Sequence, residues 1–109
     1  MDDGSERRLA GNEILFRDTN DAIERGQWPD EPDKPIRFRC ECARVDCGQV
    51  VEITLAEYQQ VRSFPRRFLL ALGHETPEIE TVISRAPDYL IVEKQGMAGQ
   101  IAAATDPRE

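Results

Sequence analysis

The sequence predicts an α+β protein: an N-terminal amphipathic helix, then a small, mostly antiparallel sheet with a short helix, arranged around a zinc site. Three observations predict it. Leu9, Phe16 and Ile23 recur at seven-residue spacing, with Ile14, Leu15 and Ala22 beside them, which is a helical period. Past a run holding Pro29, Pro32 and Pro35, segments such as Ile36-Arg37-Phe38-Arg39 alternate apolar and charged residues, the period of a half-buried strand. Finally, the three cysteines, Cys40, Cys42 and Cys47, fall within eight residues, and the one histidine, His74, follows Gly73.

At 109 residues, 39% apolar and 32% charged, the chain is one domain with a thin core. Bound metal is a common remedy for a core of that size. The expected organisation is an N-terminal helix with a disordered start over residues 1–26, a proline-rich linker over 27–35, a zinc-stabilised body over 36–94 and a flexible tail over 95–109.

In order, the helix runs over residues 6–25, with Ser5 placed to cap it and Gly26 to stop it. Asn12, Phe16 and Asn20 form one stripe at four-residue steps. Asparagines on an apolar stripe point either to a helix docked with its asparagines at the rim or to a dimerising or partner-docking helix. The linker prolines cannot continue a helix. Residues 36–40 and Val50-Val51-Glu52-Ile53 pair as a hairpin whose turn is the cysteine loop. Thr54 and Glu57 are spaced as a capping box opening a helix over residues 55–63, which Pro65 ends. Residues 68–72 read as a buried strand delivering Gly73-His74. Residues 78–84 and 89–93 read as a hairpin turning at Ala86-Pro87-Asp88, although Ile79, Val82 and Ile83 also fit one helical face.

Three thiolates and an imidazole are the ligand set of a closed, tetrahedral structural zinc site, so Cys40, Cys42, Cys47 and His74 are the candidate ligands of Zn2+. The spacing Cys-x-Cys-x4-Cys with a distant histidine is not the paired Cys-x-x-Cys of a zinc ribbon. We expect the backbone to kink at Glu41 so that Cys40 and Cys42 reach one metal. Gly48 suits a tight turn, and Gly73 permits a sharp approach by His74. Without His74, the fourth place falls to Asp46, Glu41 or a water, and water would make the site catalytic. Arg39 and Arg44 beside the thiols leave open a thiol-redox or metal-responsive switch. Burial of three cysteines as small apolar residues is the plain alternative; the polar Glu41, Arg44 and Asp46 between them fit a loop better.

Other chemistry is poorly supplied. A Cys-His nucleophilic pair would be consumed by a closed metal site. The zinc-deaminase order fails, because the cysteines precede His74 and Glu75 follows it directly. There is no phosphate-cradling Gly-rich loop and no Gly-x-Ser-x-Gly.

Net charge is −7, yet residues 34–70 hold seven bases against four acids, a net of +3. Overall acidity opposes non-specific nucleic-acid binding, which needs many neutralised phosphates. Arg62, Arg66 and Arg67 remain candidate contacts for an acidic protein partner or, as the lesser reading, for nucleic acid. No apolar leader follows Met1, and the longest apolar run, residues 68–72, is too short to cross a bilayer. Three cysteines in such a chain fit reduced thiols and a cytoplasmic setting.

Phe38-x-Cys40-Glu41-Cys42-x4-Cys47, Leu55-x-Glu57-Tyr58-x-x-Val61-Arg62, Pro65-x-x-Phe68, Gly73-His74 and Tyr89-x-Ile91-Val92-Glu93-Lys94, preceded by Asn12-Glu13-x-x-Phe16-Arg17-x-x-Asn20, resemble a group of small bacterial proteins abundant in actinobacteria. The likeness spans most of residues 12–94. It implies a bacterial, cytosolic protein and carries no settled activity with it. The functional expectation is therefore a non-enzymatic zinc module that binds or regulates a protein partner, or self-associates, through Asn12, Phe16 and Asn20 or through the three arginines. A redox switch and a zinc hydrolase with an open coordination site are the alternatives.

Overall fold

The computed structural model of the chain describes residues 3–27, 31–44 and 46–107. Their elements run α1 (Asp3–Arg25), β1 (Pro35–Arg39), β2 (Val50–Thr54), α2 (Leu55–Arg62), β3 (Arg67–Ala71), β4 (Glu80–Arg85), β5 (Tyr89–Lys94) and α3 (Gly96–Ala104). Strands β1 and β2 form an antiparallel hairpin, with Ile36 opposite Ile53 and Phe38 opposite Val51. The other three make an antiparallel sheet in the order β3-β5-β4. Its β4–β5 hairpin turns where expected, with Ala86 N–H donating to Tyr89 O at 2.9 Å.

Successive strand residues point to opposite faces; β3 is covered on both faces, β5 is fully buried on one, and most of β4 is exposed. Phe68, Leu70, Leu90 and Val92 pack on the three cysteines and Ala102. On the other side Leu69 meets Ile36, Phe38, Val51, Ile53, Leu55 and Tyr58. Coverage of β3 on both faces explains why residues 68–70 read as a continuous apolar run, whereas Leu72 lies beyond the strand and is exposed. Phe38 stacks on Tyr58, with ring centroids 4.2 Å apart.

The capping box of α2 forms in full. Glu57 N–H donates to Thr54 Oγ1 at 3.1 Å, and Thr54 N–H donates to Glu57 Oε1 at 3.0 Å. Helix α1 starts earlier than the sequence led us to expect, so Ser5 lies inside it rather than capping it. Gly26 does stop it, donating to Ala22 O and Ile23 O. Residues 1 and 2 of the expected disordered start, and residues 28–30 of the linker with Pro29, lie outside the described residues. Pro32, later in the linker, is tied down through its carbonyl, which accepts from Ala56 N–H at 3.0 Å.

The flexible tail is corrected. Helix α3 occupies residues 96–104, with Ala98 and Ala102 buried. It sits so close to the end of β5 that a Cβ on Gly99 would lie 2.7 Å from Lys94 O. The small residues that resemble a loose tail are what permit that approach.

The inner face of α1 is largely polar, and Glu13, Arg17, Asn20 and Asp21 are all buried. Arg62 donates to Asp21 (Nε at 2.8 Å, Nη2 at 3.0 Å) and to Asp106 (Nη2 at 2.8 Å, Nη1 at 3.0 Å). Burial opposes its charge, but the hydrogen bonds it donates to Asp106 and Asp21 outweigh burial and hold the guanidinium charged. Lys94 is held between Glu13 and Glu80. Arg17 donates to Pro65 O and Ala102 O at 3.1 and 3.2 Å, over the Phe68 ring. Among the described residues, no helix is long and apolar enough to cross a membrane.

Candidate metal centre

The cysteine loop leaves the end of β1 and is closed at its base by Cys40 N–H donating to Gln49 O at 3.0 Å. Within it, Cys47 N–H donates to Arg44 O at 3.1 Å. Residues two apart on an extended chain share a face. Cys40 and Cys42 therefore lie on one side and Glu41 on the other, and the expected kink at Glu41 is not needed to unite them. Glu41 instead joins the loop to the sheet. Its N–H donates to Leu69 O at 2.7 Å, and its carboxylate accepts from Leu69 N–H at 2.9 Å, Tyr58 Oη at 2.7 Å and Asn20 Nδ2 at 2.8 Å. Burial raises the Glu41 pKa, and the three donors oppose that rise without cancelling it.

His74 arrives from β3 by a tight turn. His74 N–H donates to Ala71 O at 3.2 Å, and Gly73 takes φ +79°, the left-handed conformation that the third residue of a type II turn requires. One ligand atom from each of Cys40, Cys42, Cys47 and His74 falls within 4.8 Å of the others. His74 Nδ1 lies 3.6 Å from Cys40 Sγ and 3.5 Å from Cys47 Sγ. Bond lengths of about 2.3 Å to sulfur and 2.05 Å to nitrogen, at a tetrahedral angle, place N and S about 3.6 Å apart. The four side chains are thus spaced to hold a metal ion. The cysteines are buried and the imidazole is half-buried, so protein covers the cluster except on its histidine side.

The Cys40 and Cys42 thiols are shifted in opposite directions. Interaction with the Cys40 thiol, with help from the Arg44 backbone, His74 and Cys47, outweighs burial and lowers the Cys42 pKa to about 4. The same interaction, and then burial, push Cys40 up. Ala71 N–H donates to Cys40 Sγ at 3.1 Å, the kind of amide contact that steadies a ligating sulfur.

The sequence-predicted partner residues fare differently. Asn12, Phe16 and Asn20 turn inward: Asn12 Nδ2 donates to Ala43 O at 2.9 Å, Phe16 is buried beneath the Arg39 guanidinium, and Asn20 is fully buried. Arg62 is enclosed by its two aspartates, which removes it from any partner or nucleic-acid surface. Arg66 is exposed, and Arg67 lies over the Phe64 ring at 3.8 Å. Arg67 lines a groove of about 250 Å3 whose walls share no residue with the metal cluster and include Ile53, Val61, Phe64, Ile83 and Tyr89, while the Arg66 guanidinium lies beside Gly99 of α3, outside that lining.

Sequence reasoning missed Glu13, Asp21, Glu41, Tyr58 and Lys94 as residues that hold the site and its surroundings. One signal was present: Glu13, Arg17 and Asp21 recur at four-residue steps beside the Asn12-Phe16-Asn20 stripe, with alternating sign. No family model, no curated protein and no solved structure matches the chain.

Proposed function

We propose that the protein is a small cytoplasmic zinc module with a binding or regulatory role, in which Zn2+ held by Cys40, Cys42, Cys47 and His74 fixes the cysteine loop against the three-stranded sheet. The observation that carries the reading is the spacing of His74 Nδ1 from two cysteine sulfurs, 3.5 and 3.6 Å, which fits a tetrahedral thiolate–imidazole shell. Four protein ligands leave no coordination position for water, so the metal would act on structure rather than as a Lewis acid. Thiolate and imidazole ligands suit zinc, and iron is the competing metal. Metal analysis of the purified chain tests the assignment. One zinc per chain in the parent, with weakened retention in His74→Ala, is the expected result; a metal-free parent, or stoichiometric iron, overturns it.

For the partner face we assign Arg67 and the exposed Phe64 in the groove, with the exposed Arg66 next to them in the chain, where a cationic and an aromatic surface would meet an acidic protein segment. Self-association through the N-terminal helix is disfavoured by the commitment of Asn12, Phe16 and Asn20 to their own chain. Sedimentation of the full chain as a monomer is the matching expectation.

A further inference from the structure

Helix α1 grips the metal loop along a single stripe. Asn20 lies edge-on to Arg39: its Oδ1 accepts from Arg39 N–H at 2.7 Å, and its Nδ2 donates to Arg39 O at 2.7 Å and to Glu41 Oε2 at 2.8 Å. A side chain here supplies the pair of bonds a neighbouring strand would make. One turn earlier, Phe16 carries the Arg39 guanidinium on its ring at 3.9 Å, and Arg39 Nη2 donates onward to Cys47 O at 2.8 Å. One turn earlier again, Asn12 Nδ2 donates to Ala43 O at 2.9 Å. Ile14 packs against the cluster that contains the thiols.

The gripped backbone belongs to the residue before Cys40, the residue after Cys42 and Cys47 itself. Each contact therefore requires the loop to hold the shape in which its sulfurs converge. The metal requires the same shape. Two ligands that favour one conformation strengthen each other by the same factor, whichever binds first. Here one ligand is the ion and the other is helix α1, tethered to the same chain.

We propose that metal occupancy and the seating of helix α1 form one coupled device, in which Asn12, Phe16 and Asn20 read the state of the metal centre and loss of metal loosens the helix. The inference rests on the metal-module reading above and names the regulation of that site. Removing the ion slackens all three contacts together, while the Asp21–Arg62 pair and the Arg17 contacts to Pro65 and Ala102 keep the helix tethered. The device thus turns metal content into exposure of a polar-aromatic helix face.

Zinc affinity measured by competition with a chromogenic chelator, on the full chain, tests the coupling. Asn20→Ala should weaken zinc binding about 10-fold, within the usual range for coupled sites, and Asn12→Ala about 3-fold. Thr54→Ala removes the α2 cap far from the loop and should leave affinity within twofold of the parent. If Asn20→Ala fails to fold, the half-buried Asn12→Ala carries the measurement. Affinities for both asparagine variants within twofold of the parent overturn the coupling while leaving the metal centre intact. A parent that holds no zinc overturns the centre itself, and the coupling with it.

Discussion

Replacing Asp106 with alanine should destabilise the protein far more than its position beyond the last helix, α3, suggests. Arg62 is 2% exposed, and Asp106 accepts two of its four carboxylate hydrogen bonds, at 2.8 and 3.0 Å. Removing one partner of a buried ion pair costs about 3–5 kcal/mol, because the remaining charge stays out of water. Asp21 still faces Arg62 in the variant, so the lower end, about 3 kcal/mol, applies. Unfolding entropy near 2.1 cal/mol/K per residue amounts to roughly 0.23 kcal/mol/K for a chain of this length, which converts the loss to a Tm decrease of about 13 °C. Far-UV circular dichroism melts of the zinc-saturated parent and Asp106→Ala measure it. Asp18→Ala, which removes the same charge from an exposed position of α1, serves as the control and should shift Tm by less than about 2 °C. A decrease for Asp106→Ala no larger than that of the control would refute both the buried triad and the docking of the segment after β5.

Other consequences are equally direct. Burial outweighs the attraction of Lys94 and raises the Glu13 pKa from 4.5 to about 7. Between those values the folded chain holds a proton that the unfolded chain has lost, so this group's contribution to stability falls as pH rises from 4.5 to 7. The stability difference between parent and Glu13→Gln, from urea titrations, should change by about 2–3 kcal/mol between pH 5 and 7.5; a constant difference sinks the assignment. Gly99→Ala should lower stability by roughly 1–3 kcal/mol despite alanine's better helix propensity, because its Cβ would crowd Lys94 O; a raised Tm would show that α3 does not lie so close to β5. Treatment with a strong chelator should lower Tm by more than any of these substitutions, since the ion binds the folded loop and its binding free energy is lost with it. Identical melts with and without chelator contradict a metal-held fold.

What could be read from the sequence was what local chemistry decides. Thr54 and Glu57 announce the start of α2 because a capping box needs only four neighbouring residues. Gly73 before His74 gives the ligand's approach because few residues but glycine accept a positive φ. The ligand set was visible because thiols and imidazole are rare enough for clustering to mean something. What escaped was decided by distant partners. Gln95-Gly96-Met97-Ala98-Gly99 lacks helical charge pairs and reads as slack, and only β5 makes its small side chains an advantage. Asp21 and Arg62, or Glu13 and Lys94, lie on different elements, and no spacing rule links them. Their burial follows from composition: with 39% apolar residues, closing both faces of β3 requires charges inside, and charges inside require partners.

Those partners are not separate from the metal centre. Asp106 holds Arg62, Arg62 holds Asp21, and Tyr58 Oη lies 3.5 Å from Asp21 Oδ1 while donating to Glu41 Oε2 at 2.7 Å. Glu41 stands between two of the proposed metal ligands. A continuous run of buried polar contacts therefore joins the end of α3 to the cysteine loop, and contiguity alone does not establish energetic coupling. A double-mutant cycle decides it. Tyr58→Phe cuts the run at its middle without adding bulk, so Asp106→Ala and the weakened zinc shell of His74→Ala can be combined in chains with and without the tyrosine hydroxyl. If the run transmits, the interaction energy between the two ends exceeds about 0.5 kcal/mol in the parent and vanishes in Tyr58→Phe. Equal additivity in both backgrounds would mean that the charges and the metal stabilise the same fold independently, each closing a different part of a core that lacks the apolar residues to close itself.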